Sequence, residues 1–216
     1  MRKNRFLKEN KNMSKTPQLI VMCGLPGAGK STYAKQYVQE HSNTKVMSSD
    51  GIREELYGDE SIQGNPADVF SLMQKRTVEH LNRGIDVVYD ATGMARNNRG
   101  EILACTPACV HKKCVIVWAS VEECIKRDSL RSRHVGPDII DMMVRRFEAP
   151  FYDEGFDEIQ FLVPEDFDQE EYEKNCLQAI VDLQEDPNRR NILSWMSYGR
   201  KDGTIQNAWE VWNSAE

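Results

Sequence analysis

The feature that most constrains the fold is the segment Gly-Leu-Pro-Gly-Ala-Gly-Lys-Ser at residues 24–31. It matches the pattern G-x-x-x-x-G-K-S, follows the apolar run 18–23 and precedes a segment with apolar residues at helical spacing. Small residues let successive backbone N–H groups turn towards one phosphate, and the helix start adds the positive end of its dipole. The segment therefore predicts a phosphate-binding loop between a buried strand and a helix.

The loop also predicts ligands, a nucleotide and Mg²⁺, although the loop alone does not distinguish ATP from GTP. Lys30 is expected to reach the β- and γ-phosphates, and Ser31 to offer an oxygen to Mg²⁺. The predicted nucleotide contacts in this segment are Gly24, Pro26, Gly27, Ala28, Gly29, Lys30, Ser31 and Thr32. A glycine turn that matches by chance is disfavoured by the flanking strand and helix. The base-reading motif N-K-x-D is absent, so a GTP-dependent switch is not expected.

Strand-length apolar runs alternate with helical patterns along most of the chain. Strands are predicted at 18–23, 44–48, 86–90, 114–119 and 158–163. Helices are predicted at 30–41, from residue 48 to the stop at Gly58, at 67–83 before Gly84, at 98–105, at 121–130 and at 137–149. This alternation predicts an α/β fold, in which a central parallel sheet is flanked by helices.

The 216 residues suit one α/β domain with appendages. We predict a basic, disordered arm at 1–16, a nucleotide-binding domain at 17–164 and a helical extension at 165–216. The extension contains three of the four tryptophans, Trp195, Trp209 and Trp212, interleaved with arginines. Such a pattern can stack on bases, but an amphipathic helix that docks on the domain, on a second copy or on a protein partner is the favoured interpretation.

Composition and net charge restrict the classes of protein and the cellular compartments that are expected. The longest apolar runs are of strand length, so no membrane segment is expected, and the net charge of −6 excludes a uniformly basic nucleic-acid clamp. The six cysteines, without a signal peptide, predict reduced thiols in a cytoplasmic protein. Cys105, Cys109, His111 and Cys114 lie close in sequence but do not fit a paired zinc pattern, so metal binding there is disfavoured.

Asp50 and Arg53 follow the second predicted strand, at the sheet edge where the phosphate loop is expected. A carboxylate at this position can accept the proton of an attacking hydroxyl group. Arg53, one helical turn further on, can bind a phosphate of the acceptor or neutralise charge in the transition state. The alternative for Asp50 is a helix cap, and the two roles are compatible.

Further charged residues are expected at the same edge. Asp90 ends the third predicted strand, where a carboxylate can hold a magnesium-bound water or support the phosphate loop; a simple turn is the alternative. Arg127, Arg131 and Arg133 lie at the end of the fifth helical pattern and in the loop after it. Spacing of four places Arg127 and Arg131 on one helix face, suited to phosphates, and a solvated helix end is the alternative.

Together these motifs resemble the polynucleotide 5′-kinase branch of the P-loop kinases. The resemblance covers about residues 18–163 and rests on the phosphate loop, S-S-D-x-x-R, D-A-T, K-R-x-S-x-R and P-x-x-x-x-x-M-x-x-x-F. It implies an adenylate-kinase-like sheet and transfer of the ATP γ-phosphate to a nucleic-acid 5′ end. It also implies that Asp50 is the general base, that Arg53 engages the acceptor phosphate, and that Arg131 and Arg127 belong to a lid over the donor phosphates.

The chain departs from this family at Gly93, where relatives often carry asparagine, and it has no phosphatase signature. Several alternatives use the same scaffold. The acceptor could be a small metabolite, an aminoacyl-tRNA side chain, a nucleotide-sugar or a modified base. A non-enzymatic alternative is an ATP-dependent switch that binds RNA or a partner protein.

Overall fold

A parallel sheet of five strands forms the centre of the computed structural model, which describes residues 16–131, 133–148 and 150–162. In chain order the strands are β1 (Gln18–Cys23), β2 (Thr44–Ser48), β3 (Asp86–Asp90), β4 (His111–Val117) and β5 (Glu158–Leu162). Their spatial order is β2-β3-β1-β4-β5, with every neighbouring pair parallel. The predicted α/β class, with the phosphate-loop strand at the centre, is confirmed.

Helices follow each of the first four strands. They are α1 (Lys30–Glu40), α2 (Ser49–Tyr57), α3 (Pro66–Asn82), α4 (Arg96–Cys105), α5 (Val121–Ser129) and α6 (Pro137–Arg145), with a 3₁₀ turn at Tyr152–Glu154 before β5. Helix α1 and helix α3 both pack against β2 and β3, and α5 packs against α6. No helix in the described ranges is both long and apolar enough to cross a membrane.

The core lies along the central strands. Leu19, Ile20 and Met22 of β1 are completely buried, as are Val115 and Ile116 of β4. Successive residues of a strand point to opposite faces, so a continuous apolar run indicates that both faces are covered. This burial fixes the registers of the sheet and thereby the positions of the residues that follow each strand.

Local capping determines where two of the helices begin and end. The hydroxyl of Ser48 accepts a hydrogen bond from the backbone N–H of Gly51 at 3.3 Å, which caps the start of α2. Gly58 ends α2 with a φ of 79°, a left-handed conformation that glycine adopts without strain. Asn65 caps α3, whose first residue is Pro66.

Three predicted elements have wrong boundaries, and one of them is α4, which begins at Arg96 rather than at residue 98. Strand β4 begins at His111 rather than at residue 114, because His111 to Lys113 pair with the start of β1 despite their polar side chains. It ends at Val117, two residues before the predicted end. Helix α6 ends at Arg145 instead of continuing to 149, because Phe147 enters the core and the N–H of Glu148 bonds to the carbonyl of Met94.

The predicted basic arm at 1–16 falls almost entirely outside the described residues, and the predicted extension at 165–216 does so completely. The domain limits of 17–164 therefore stay a prediction. The same holds for the proposed roles of the tryptophan-rich tail.

Candidate active site

The candidate site lies where β1, β2 and β3 end. These strands are neighbours, and Ser48 at the end of β2 is paired in register with Asp90 at the end of β3. The phosphate loop follows β1, and Asp50 lies in the first turn of α2, directly after β2. Parallel strands present their carboxyl ends at one edge, so the sheet brings the predicted loop and both predicted carboxylates together.

The loop has the backbone shape that its glycines allow. Gly27 and Gly29 have φ values of 84° and 108°, in the left-handed region. A Cβ atom on Gly27 would lie only 2.3 Å from the carbonyl oxygen of Cys124 in α5. The Nζ of Lys30 donates a hydrogen bond to the carbonyl of Leu25 at 2.8 Å, so the Lys30 side chain folds back onto the phosphate loop.

Lys30, Ser31 and Asp90 form the electrostatic centre of the site. Burial lowers the pKa of Lys30, and the Asp90 carboxylate opposes that change. Burial raises the pKa of Asp90, while a hydrogen bond from Ser31 and the charge of Lys30 oppose this. Asp90 is only 7% exposed, and the Ser31 hydroxyl and the Lys30 charge that act on its carboxylate both belong to the phosphate loop.

The carboxylate of Asp50 does not cap its helix, because Ser48 provides that cap. Instead its Oδ1 accepts hydrogen bonds from two guanidinium groups. Arg53 Nη1 donates at 3.0 Å from one turn further along α2. Arg133 Nη1 donates from the loop after α5, at a sequence separation of 83 residues. The helix-cap alternative is therefore replaced by a carboxylate shared between two arginines.

Arg53 is buried, with a side-chain exposure of 9%. Burial lowers its pKa, the nearby Arg133 lowers it further, and Asp50 opposes both. Its Nε has no hydrogen-bond partner in the described structure and no contact with solvent. This guanidinium thus keeps an unused donor beside the predicted general base.

Arg127 in α5 and Arg131 in the loop after it have different surroundings. Helix α5 ends at Ser129, so Arg131 lies beyond it and does not share a helix face with Arg127 as predicted. The charge of Arg131 still lowers the pKa of both Lys30 and Asp90, which places it near the phosphate loop. Arg127 instead donates through Nε to Glu123 on its own helix at 2.7 Å.

The loop after β3 is tied to the phosphate loop. The backbone N–H of Gly24 bonds to the carbonyl of Thr92 at 3.0 Å, and the thiol of Cys23 donates to the carbonyl of Gly93 at 3.3 Å. Gly93 has a φ of 56°, and a Cβ atom there would lie 2.3 Å from the carbonyl oxygen of Met22. This contact, together with the positive φ, is the physical reason for glycine at position 93 of this chain.

Arg99 supports this loop from beneath. Its Nη1 donates to the carbonyls of Gly93 and Glu148, each at 2.8 Å. Its Nε and Nη2 donate to the two carboxylate oxygens of Glu154 at 2.8 and 2.6 Å. Both side chains are almost fully buried. The segment before β5 is thereby locked to the loop that follows β3.

Sequence reasoning did not assign Arg99, Asp128 or a contact between Arg133 and Asp50. Asp128 is 2% exposed, and its Oδ2 accepts hydrogen bonds from the backbone N–H groups of Val135 and Gly136. The only available signal for Asp128 was a carboxylate at the end of a helix, shortly before Gly-Pro. The contact between Arg133 and Asp50 depends on tertiary structure, and no local pattern encodes it.

The cysteine-rich segment is not gathered at one point. Cys114 is buried in β4, whereas Cys105 and Cys109 are exposed. Within the described ranges, no group of three or more His, Cys, Asp or Glu side chains is arranged to hold a metal ion.

The central strand of the parallel sheet leads into a glycine loop that contains Lys30 and Ser31. Carboxylates at the ends of the two strands on one side of it lie next to this loop. These features define a kinase-like P-loop nucleotide-binding domain. The model of the family described as "AAA domain" (AAA_33) matches residues 19–150. This match covers more than half of the chain, and the chain belongs to that family.

Several solved structures are similar to this chain at low sequence identity. A chain of the Pnkp1/Rnl/Hen1 RNA repair complex is 21% identical with a TM-score of 0.55, and the match covers 63% of this chain and 45% of that chain. Another structure of the complex gives 23% identity, a TM-score of 0.48, and coverage of 54% and 40%. A candidate kinase from Chloroflexus aurantiacus is 16% identical with a TM-score of 0.53, with coverage of 76% and 98%.

The chain therefore matches less than half of the length of the RNA-repair protein chains. A comparison with curated proteins found no match.

Proposed function

We propose that this protein is an ATP- and magnesium-dependent kinase that transfers the γ-phosphate of ATP to the 5′-hydroxyl of a polynucleotide. The observation that carries the proposal is the position of Asp50. Asp50 lies in the first turn of α2, directly after β2, and Ser48 at the end of β2 is paired in register with Asp90 at the end of β3. A base is thus held at the same edge as the donor site.

The phosphate loop fits a nucleotide. Its glycines adopt the positive φ values that the loop requires, and α1 begins at Lys30 after Gly29, which has no side chain to cap the helix. No capping side chain therefore competes for the first N–H groups of α1. Lys30 would exchange the carbonyl of Leu25 for the donor phosphates. Ser31 and Asp90 supply oxygen ligands of the kind that Mg²⁺ prefers. When bound, Mg²⁺ would neutralise charge on the β- and γ-phosphates.

The remaining residues act on the acceptor and on the developing charge. Asp50 would accept the proton of the 5′-hydroxyl while the hydroxyl oxygen forms a bond to the γ-phosphorus. The bond from this phosphorus to the β–γ bridging oxygen breaks at the same time, and ADP leaves. Arg131 and Lys30 would stabilise the charge that spreads over the transferred group. Arg53 would bind a phosphate of the acceptor, because its guanidinium is buried and has a donor to spare.

A polynucleotide is proposed as the acceptor for three reasons. The motifs of the sequence resemble the polynucleotide 5′-kinase branch, and the fold is similar to a chain of an RNA repair complex. The cationic groups around Asp50 also favour an acceptor that carries phosphate. RNA and DNA ends both meet these requirements.

The test is transfer of label from γ-labelled ATP to a panel of acceptors: 5′-hydroxyl RNA, 5′-hydroxyl DNA, tRNA, nucleosides and small hydroxylated metabolites. We expect labelled 5′ ends on RNA or DNA, dependent on added Mg²⁺. Label that appears only on small molecules would refute the polynucleotide assignment and leave a metabolite kinase. Nucleotide binding without any transfer would instead support the switch alternative.

A further inference from the structure

A buried carboxylate holds the loop between α5 and α6. Asp128, in the last turn of α5, is 2% exposed. Its Oδ2 accepts hydrogen bonds from the backbone N–H groups of Val135 and Gly136 at 2.8 and 2.9 Å. The backbone carbonyl of the same residue accepts from the N–H of Arg131 at 3.1 Å. Asp128 therefore binds this loop near its beginning and at its end.

The position of this carboxylate is unfavourable for helix α5 itself. A negative charge near the C-terminus of a helix opposes the helix dipole, and burial of a carboxylate costs free energy unless hydrogen bonds compensate for it. The Oδ1 of Asp128 has no hydrogen-bond partner in the described residues, whereas Oδ2 has the two backbone donors. A residue that conflicts with its own helix indicates a constraint outside that helix, and here the contact outside is the loop.

The same carboxylate lies at the start of α6. Gly136 precedes this helix, has a φ of 91° and provides no side-chain cap. Because Asp128 accepts from the N–H of Gly136, a negative charge lies at the positive end of the α6 dipole. Helix α5 also packs against α6. The two ends of the loop are thus fixed to two helices that contact each other.

The loop extends to the candidate site. The side chain of Arg133 contacts the Oδ1 of Asp50. Burial lowers the pKa of Lys30, and the charge of Arg131 lowers it further. Burial raises the pKa of Asp90, and the charge of Arg131 opposes this. Arg131 is exposed, so the backbone that carries it, rather than packing around its side chain, determines where its guanidinium can reach.

We propose that Asp128 is a positioning residue for phosphoryl transfer, which holds the loop so that the guanidinium of Arg131 reaches the γ-phosphate of a nucleotide in the phosphate loop. Asp128 does not touch the nucleotide in this assignment and acts through Arg131. A displacement of about 1 Å in a group that stabilises the transition state can cost about 100-fold in rate. This inference rests on the proposed kinase function and identifies a residue on which its rate depends.

The test uses three substitutions of Asp128. Asp128→Ala removes both hydrogen bonds to the loop, and Asp128→Asn keeps an oxygen that can accept them. Asp128→Glu keeps the charge but moves the carboxylate by one methylene group. Arg131→Gln removes the guanidinium through which Asp128 is proposed to act. Asp138→Ala is the matched control, because Asp138 is an exposed carboxylate in the first turn of α6.

The measurements are single-turnover transfer from γ-labelled ATP and calorimetric binding of ATP and ADP to the full chain. We expect Asp128→Ala to lower the transfer rate by about 10- to 100-fold. It should also reduce the preference for ATP over ADP by about tenfold, the value of one charge-assisted contact to the γ-phosphate. Asp128→Asn and Asp138→Ala should stay close to the unchanged protein, and Asp128→Glu should lie between Asp128→Asn and Asp128→Ala.

The double variant Asp128→Ala/Arg131→Gln separates positioning from a merely structural role. If Asp128 acts through Arg131, the double variant transfers at about the rate of Arg131→Gln alone. Two losses that multiply would overturn the proposal, and so would an unaltered rate and nucleotide preference in Asp128→Ala. If Asp128→Ala fails to fold, an Asp128→Glu variant indistinguishable from the unchanged protein would overturn it equally.

Failure of the proposed function gives a different result. Absence of transfer to every acceptor would refute the kinase assignment. The preference for ATP over ADP, and its dependence on Asp128 and Arg131, would still be measured in that case, because binding requires no transfer.

Discussion

Arg99 and Glu154 form a buried ion pair, in which two guanidinium nitrogens of Arg99 contact the two carboxylate oxygens of Glu154. The pair connects α4 with the 3₁₀ turn before β5. Since Arg99 also holds the carbonyl of Gly93, this contact links the end of the domain to the loop beside the candidate site.

We predict that Arg99→Met destabilises the protein by about 3–5 kcal/mol, because it leaves the Glu154 carboxylate buried without its partner. Chemical denaturation measures the free energy of unfolding. The double variant Arg99→Met/Glu154→Met should lose less than the sum of the two single variants. Arg96→Met is the control: Arg96 pairs with Asp153 at the surface, and its loss should cost less than about 1 kcal/mol. Equal losses in Arg99→Met and Arg96→Met would contradict the prediction.

Gly93→Ala should destabilise the protein by about 1–3 kcal/mol, because alanine is strained at a φ of 56° and its Cβ atom would meet the carbonyl of Met22. Gly100→Ala provides a matched comparison. Gly100 lies in α4, and a Cβ atom there meets nothing within 4 Å, so alanine should stabilise the helix by about 1 kcal/mol. Thermal unfolding of both variants checks the prediction, and it fails if both shift in the same direction.

Asp90→Asn should reduce magnesium-dependent phosphoryl transfer by about 10- to 100-fold without destabilising the protein. The pKa of Asp90 in the folded state is raised by burial, so the protonated form favours folding. That favourable contribution is complete below the unfolded pKa and is lost as the pH rises through the folded pKa. At neutral pH the ionised carboxylate therefore costs stability, and the neutral amide removes the cost.

The measurements for Asp90→Asn are the melting temperature at pH 7 and the Mg²⁺ concentration that gives half-maximal transfer. We expect a melting temperature equal to or above that of the unchanged protein, together with a higher Mg²⁺ requirement. A fall of several degrees would show that Asp90 mainly stabilises the fold through Lys30.

Asp50→Asn should lower the rate of phosphoryl transfer by about 10²- to 10⁴-fold while ATP still binds, because the amide cannot accept the hydroxyl proton. Single-turnover transfer and equilibrium nucleotide binding separate the two effects. Asp141→Asn is the control, since Asp141 lies on the exposed side of α6 and pairs with Arg145. Full transfer activity in Asp50→Asn would exclude this residue as the base.

Much of the fold could be predicted because the central strands β1, β3 and β4 each contain a continuous apolar run. The predicted ends of some helices and strands were wrong where tertiary contacts override the local sequence pattern. His111 belongs to β4 only because β1 pairs with it, and α6 stops early because Phe147 packs inwards. In the site, the loop, Asp50 and Asp90 were predictable because each follows a strand. The partner of Asp50 was not, because Arg133 reaches it from a loop 83 residues away.

Helix α5 touches the two halves of the candidate site at points four residues apart. Its Cys124 carbonyl lies against the backbone at Gly27, and Asp128 fixes the loop that carries Arg133. Inserting a single residue between them would rotate Asp128 by about 100° around the helix axis, since an α-helix has 3.6 residues per turn. Such an insertion would leave every proposed active-site side chain in the sequence and still separate Arg133 from Asp50, so the spacing along α5 is itself part of the site.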